Sequence, residues 1–134
     1  MRVQISIDKV RGPFVCQVEE ISGQDLLACN QCGKCSAGCP VVAAMDLLPS
    51  HVIRMAQLGM EEVLESETIW ICASCLTCVT RCPKGVDLPR LMEALRQIAL
   101  RQGLAKLDLN ALPPELVREV PQLAIVGGFR KYMR

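Results

Sequence analysis

The sequence predicts a mainly α fold with room for a short N-terminal β-hairpin and with a separate C-terminal tail. Two observations carry this. Apolar residues recur at helical spacing between residues 49 and 59 and again between 88 and 103. Cap and stop residues bracket both stretches. A third observation organises the chain: eight of its nine cysteines fall in two tight clusters of identical spacing.

Taking the elements in order, Val3, Ile5 and Ile7 alternate with polar residues and read as a strand. Gly12-Pro13 signals a turn, and residues 14–18 can form a second strand, making a hairpin over residues 3–18. Ser22 can cap a short helix that carries Asp25, Leu26 and Leu27 into Cys29. Ser50 can cap a helix with Val52, Ile53, Met55 and Ala56 on its apolar face, and Gly59 would end it. A short helical segment is expected over residues 61–64. Ser66 can cap another that leads through Ile69, Trp70 and Ile71 to Cys72. Asp87 is a good N-cap, with Pro89 tolerated in the first turn. Leu91, Leu95, Ile98 and Gln102 trace one face of the helix that follows, with Met92 and Ala99 beside it and Gly103 at its end. The tail has Pro113-Pro114, a helical segment over 115–120, Pro121 and Gly127-Gly128, and ends on Arg130, Lys131 and Arg134. The organisation expected is a hairpin segment over 1–20, a domain over 21–105 and a tail over 106–134.

Composition narrows the function. Apolar residues make up 51% of the 134, so the chain can build a core, and at 3% aromatic content aliphatic residues must do most of the packing. A net charge of +1 offers no basic stripe for nucleic acid. No apolar stretch approaches the roughly 18–20 residues needed to span a bilayer. The first eight residues lack the apolar stretch of a signal peptide. A soluble, cytoplasmic protein is expected, and in a reducing compartment clustered cysteines more often bind metal than form disulfides.

The first motif is Cys29-Asn30-Gln31-Cys32-Gly33-Lys34-Cys35-Ser36-Ala37-Gly38-Cys39-Pro40, and the second is Cys72-Ala73-Ser74-Cys75-Leu76-Thr77-Cys78-Val79-Thr80-Arg81-Cys82-Pro83. Three thiolates at two-residue intervals can each take one iron of a cubane, while the fourth points away. In two-cluster ferredoxins that fourth cysteine ligates the other cluster. The pattern therefore predicts two [4Fe–4S] clusters, one held by Cys29, Cys32, Cys35 and Cys82, the other by Cys72, Cys75, Cys78 and Cys39. Crossed ligation would tie both halves together, so metal loss should unfold much of the domain. Pro40 and Pro83 turn the chain out of each site. The competing reading is a pair of Cys₄ zinc sites, but zinc sites rarely use a third cysteine at the same interval followed by a fourth and a proline.

Ser36, Ser74, Thr77 and Thr80 are candidate hydrogen-bond donors to sulfur, and Lys34 and Arg81 could stabilise a reduced cluster; the plainer alternative is that they are solvated or capping residues. Cys16 lies outside both motifs and reads as a small buried residue in preference to a redox thiol. His51, the single histidine, has no catalytic partner nearby. The Leu91/Leu95/Ile98 stripe reads as core. For the apolar tail residues Leu123, Ala124, Ile125, Val126 and Phe129, docking onto a partner and packing onto the chain's own core are both open. There is no Ser/His/Asp arrangement, glycine-rich phosphate loop or dinucleotide fingerprint. No catalytic residue is assigned, which favours an electron-transfer component of an oxidoreductase over a self-sufficient enzyme.

The two motifs, with Val41 after the first, Trp70-Ile71 before the second and Lys84-Gly85-Val86-Asp87-Leu88-Pro89 after it, resemble the HdrC family of heterodisulfide reductase iron–sulfur proteins. The resemblance covers roughly residues 20–103. It implies an α-helical ferredoxin, in which helices replace the sheet of small bacterial ferredoxins. It also implies a role in electron-bifurcating anaerobic metabolism: relaying electrons from an HdrA-like flavin and iron–sulfur protein to an HdrB-like protein whose CCG module reduces a disulfide. The CCG module is absent here, so disulfide cleavage is not expected on this chain. Related complexes include hydrogenases, formate dehydrogenases or methylenetetrahydrofolate reductases. Two alternatives stand beside this reading: a relay component of a membrane-associated, quinone-linked dehydrogenase, and a structural zinc-binding adaptor. The fumarate/succinate version of the first is weakened by the lack of a C-x₄-C-x₂-C segment.

Overall fold

Proline sets where four of the helices begin. Its fixed φ suits the first helical turn, where a missing N–H costs nothing. In the computed structural model, which describes residues 5–104 and 111–132, proline opens α2 (Pro13–Ser22), α4 (Pro49–Gln57) and α8 (Pro114–Glu119) and lies in the first turn of α7 (Leu88–Arg101). The other helices are α1 (Ile7–Val10), α3 (Lys34–Ala37), α5 (Thr68–Ile71), α6 (Thr77–Arg81) and α9 (Gln122–Tyr132). Single 3₁₀ turns cover Leu26–Ala28, Val42–Ala44 and Glu61–Glu65. There is no strand among the described residues.

The mainly α expectation holds, but the hairpin over residues 3–18 does not form. Residues 3 and 4 lie outside the described residues, and α1 and α2 occupy most of the remaining segment. Pro13 marks a helix start, not a hairpin turn. Phe14, Val15, Val18 and Ser22 then face inward at helical period, while Ile5 and Ile7 stay exposed. Cys16 falls on the outer face of α2 and is exposed, contrary to the buried reading. Gly23, at φ +65, ends the helix in the left-handed region.

The core gathers around α7. Leu91, Met92, Leu95, Ile98 and Ala99 are buried there, packed against α2, α4, α5 and the 61–65 turn, with Val18, Val52, Ile53, Val63, Ile69 and Trp70 opposite. Asp87 caps α7 as expected, accepting from the Arg90 N–H at 3.2 Å, and Gly103 sits past its end at φ +84. Gln102, expected on the apolar face, is exposed. His51 is exposed on α4.

Two expected caps move. Asp25, not Ser22, caps the turn before Cys29, accepting from the Leu27 N–H at 2.9 Å. Ser50 lies inside α4, and its N–H is capped from the first cysteine motif by Ser36 Oγ at 2.9 Å. The tail is helical. The expected segment over 115–120 is α8, and α9 returns to the core through Tyr132, whose ring packs 5.7 Å from that of Trp70. Leu123 and Val126 remain exposed, at 86% and 50%. The expected domain boundary at 105–106 and Arg134 lie outside the described residues.

Candidate iron–sulfur site

The two motifs adopt one backbone design. Gln31 and Ser74, each two residues past the first cysteine, have φ of 59° and 53°; Gly33 and Leu76, each one residue past the second, have φ of 76° and 62°. Such paired left-handed residues wrap a loop around a point and turn N–H groups toward it. Glycine adopts this freely at Gly33, whereas at Leu76 a side chain is held there at a cost of roughly 1–2 kcal/mol. Each loop then enters a short helix, α3 or α6, carrying the third cysteine. These helices pack against each other. At their ends the Arg81 side chain covers Gly38, where an added Cβ would stand 2.6 Å from Arg81 Cδ.

That packing brings the fourth cysteine of one motif to the other. Cys39 lines a cavity together with Cys72, Cys75 and Cys78, and Cys35 contributes to its wall. The cavity encloses about 390 Å³ of space, part of it open to solvent, and Val41, Met45, Leu88 and Met92 give it an apolar surface. Cys29, Cys32 and Cys82 do not line it. Cys29 and Cys82 pack against the core, and Cys32 is exposed like Cys75. None of the eight motif cysteines is in a disulfide.

Hydrogen bonds to sulfur are already formed. The Gln31 N–H donates to Cys29 Sγ at 3.4 Å, joined by its side-chain amide at 3.5 Å, and the Val86 N–H donates to Cys82 Sγ at 3.3 Å. Thr77 Oγ1 lies 3.3 Å from Cys75 Sγ, and its hydrogen bonding lowers the Cys75 pKa. Burial pushes Cys78 up to about 11, helped by nearby Cys72, and raises Cys35 as well. Buried neighbouring thiols resist ionising unless a cation offsets their charge, which is how metal binding couples to such a site.

Of the other expected donors, Ser36 gives its hydroxyl to Ser50 Oγ at 2.9 Å, while Thr80 gives its hydroxyl to the Thr77 carbonyl at 2.9 Å. Lys34 and Arg81 are exposed. Among the described residues no three His, Cys, Asp or Glu side chains converge as a set for a single metal ion. The residues fit an iron–sulfur group: thiols spread around a cavity, N–H donors aimed at sulfur and an apolar lining.

Three supports were not foreseen from sequence. The Gln57 amide, 4% exposed, donates to the Leu26 and Cys29 carbonyls at 2.7 and 3.1 Å and so holds the approach to the first motif. On the approach to the second, the Tyr132 hydroxyl donates to the Trp70 carbonyl at 3.2 Å and Lys131 Nζ to the Cys72 carbonyl at 2.9 Å. Between the motifs, Asp46 accepts from the Ser66 and Thr68 hydroxyls and the Glu67 and Thr68 N–H groups, at 2.7 to 3.2 Å. It thereby clasps the chain leaving Cys39 to the helix arriving at Cys72. Burial alone would raise the Asp46 pKa, but these donors bring it down to about 2. The foreseen Ser66 cap also forms, Ser66 Oγ accepting from the Thr68 N–H at 3.2 Å.

Residues 25–86 match the 4Fe-4S dicluster domain family. The chain is 36% identical over 107 residues to the iron-sulfur C 2 subunit of the CoB–CoM heterodisulfide reductase of Methanocaldococcus jannaschii, an overlap of 74% of this chain and 58% of that protein. It is 33% identical over 90 residues to the C subunit of the ferredoxin:CoB-CoM heterodisulfide reductase of Methanosarcina mazei, covering 67% and 56%. It is 38% identical over 78 residues to the C2 subunit of the H(2)/formate:CoB-CoM heterodisulfide,ferredoxin reductase of Methanococcus maripaludis, covering 58% and 42%. The chain thus spans about half the length of the curated relatives it matches. No helix among the described residues is long and apolar enough to cross a membrane.

Proposed function

We propose that this chain, which belongs to the HdrC family of heterodisulfide reductase iron–sulfur proteins, relays electrons within a heterodisulfide-reductase-type complex, between an HdrA-like flavin and iron–sulfur protein and an HdrB-like protein with a CCG module. The observation that carries the reading is the sharing of one cavity by Cys39 with Cys72, Cys75 and Cys78. A fourth ligand supplied across the motifs makes two sites one body, which is what a relay requires.

Cys29, Cys32, Cys35 and Cys82 hold one [4Fe–4S] cluster, and Cys72, Cys75, Cys78 and Cys39 hold the other. Bound there, each cluster supplies a one-electron redox centre. The chain's own residues do the rest. Gln31 and Val86 direct N–H groups at the Cys29 and Cys82 sulfurs, which orients these two ligands. Val41, Met45, Leu88 and Met92 give the cavity its apolar wall. Cys32 and Cys75, one in each motif, reach the surface, where a partner's redox centre can approach. α2 braces the core through Phe14, Val15 and Val18, and α9 carries exposed Leu123 and Val126 for a partner.

The complex is cytoplasmic. A hydrogenase, formate dehydrogenase or methylenetetrahydrofolate reductase could serve as its further electron-donating or accepting component. Anaerobic purification of the native protein at low salt, with mass spectrometry of whatever accompanies it, tests the assignment. A flavin-binding cluster protein together with a CCG-module protein is the expected result. A membrane cytochrome or a quinone-linked dehydrogenase in their place would overturn it.

A further inference from the structure

The two motifs are held at the same point by different chemistry. In the first, the carbonyl of the leading cysteine, Cys29, accepts from the neutral amide of Gln57. In the second, the carbonyl of Cys72 accepts from the ammonium of Lys131 at 2.9 Å. Lys131 comes from the last described turn of α9, far away in sequence, and is placed by its neighbour. Tyr132 stacks on Trp70, bonds to the Trp70 carbonyl and receives Lys131 over its ring at 5.2 Å.

Other cations near the loops are exposed or paired: Lys34 in the first motif and Arg81 and Lys84 at the second are exposed. The buried Arg96 guanidinium is paired with Glu93 and bonded to the Ile69 carbonyl, and Arg130 is exposed. Near the first loop, Arg54 is exposed and donates to Gln57 Oε1 at 3.3 Å. Among the described residues, Lys131 is in neither of the two ion pairs and is half-buried. Its ammonium is held directly against the second motif, whereas the first carries a neutral amide at the same point.

We infer that Lys131 is a positioning residue that raises the reduction potential of the cluster held by Cys72, Cys75 and Cys78, and not that of its neighbour. A fixed cation beside a ligand favours the state with one more negative charge, which is the reduced cluster. The C-terminal helix thus sets a difference between two sites whose ligand spacing is identical. This rests on the ligand assignment proposed above.

The test is a redox titration, followed by EPR, of the anaerobically purified, cluster-loaded full chain and its K131Q, K131R and R130Q variants, with iron and sulfide measured for each. The expected result is full loading throughout, a lowered midpoint for one cluster in K131Q, and midpoints for both clusters close to the parent's in K131R and R130Q. Unmoved midpoints in K131Q would overturn the inference and leave the ligand assignment standing. So would an equal shift of both clusters, or loss of a cluster, which would make Lys131 only a strap. A parent protein that loads a single cluster would overturn the ligand assignment and the inference together.

Discussion

Replacing Asp46 by alanine removes an acceptor that serves four donors from Ser66, Glu67 and Thr68. Thr68 is fully buried, yet its N–H keeps Ser66 Oγ at 3.2 Å and its hydroxyl keeps the Leu47 carbonyl at 2.7 Å. The variant thus loses a cap while both Thr68 donors keep a partner. Loss of an N-cap costs about 0.5–2 kcal/mol. The carboxylate is largely exposed, which places the cost near the middle of that range, about 1 kcal/mol. Because the clasp joins the segment after Cys39 to the helix before Cys72, the loss should fall mainly on the cluster those cysteines share. Anaerobic thermal melts and the rate of cluster bleaching read it. The expected result is a lower melting temperature and faster loss of one cluster. The pH dependence follows from the lowered pKa. Its folded value of about 2 lies below the ordinary 3.8, so the contribution is complete above about pH 4 and is lost as pH falls through 2. Equal stability of D46A and parent at pH 7 would refute the clasp.

Two further substitutions probe the loops. Leu76→Gly relieves a left-handed side chain and should stabilise the loaded protein by about 1 kcal/mol, read by denaturant unfolding; Leu76→Val should destabilise it. Gln57→Leu leaves the Leu26 and Cys29 carbonyls without their donor and should cost about 1–3 kcal/mol, with weaker iron retention at the first motif on chelator challenge.

How much of this could be read from the chain depended on the range of the interaction. The cysteine spacing, the Asp87 cap and the Leu91/Leu95/Ile98 face are local patterns, and each was legible. The N-terminal segment misled because a short run such as Val3, Ile5 and Ile7 fits a strand while Pro13 serves a turn or a helix start equally well. The caps at Ser22 and Ser50 were displaced for a related reason. Asp25 is the stronger local acceptor for the first, and Pro49 starts the second helix one residue earlier. Contacts across tens of residues had no local signature: Ser36 with Ser50, Gln57 with Cys29, Asp46 with Thr68 and Lys131 with Cys72. The left-handed pair was half legible, since Gly33 announces its conformation and Leu76 does not.

Crossed ligation is the central claim, and single-cysteine variants test it most directly. Cys32→Ser, Cys82→Ser, Cys75→Ser and Cys39→Ser can be compared by EPR of the reduced protein, prepared anaerobically. Crossed ligation predicts that C39S alters the same cluster signal as C75S, and C82S the same signal as C32S. If C39S instead altered the signal that C32S alters, each motif would hold its own cluster and crossed ligation would be contradicted.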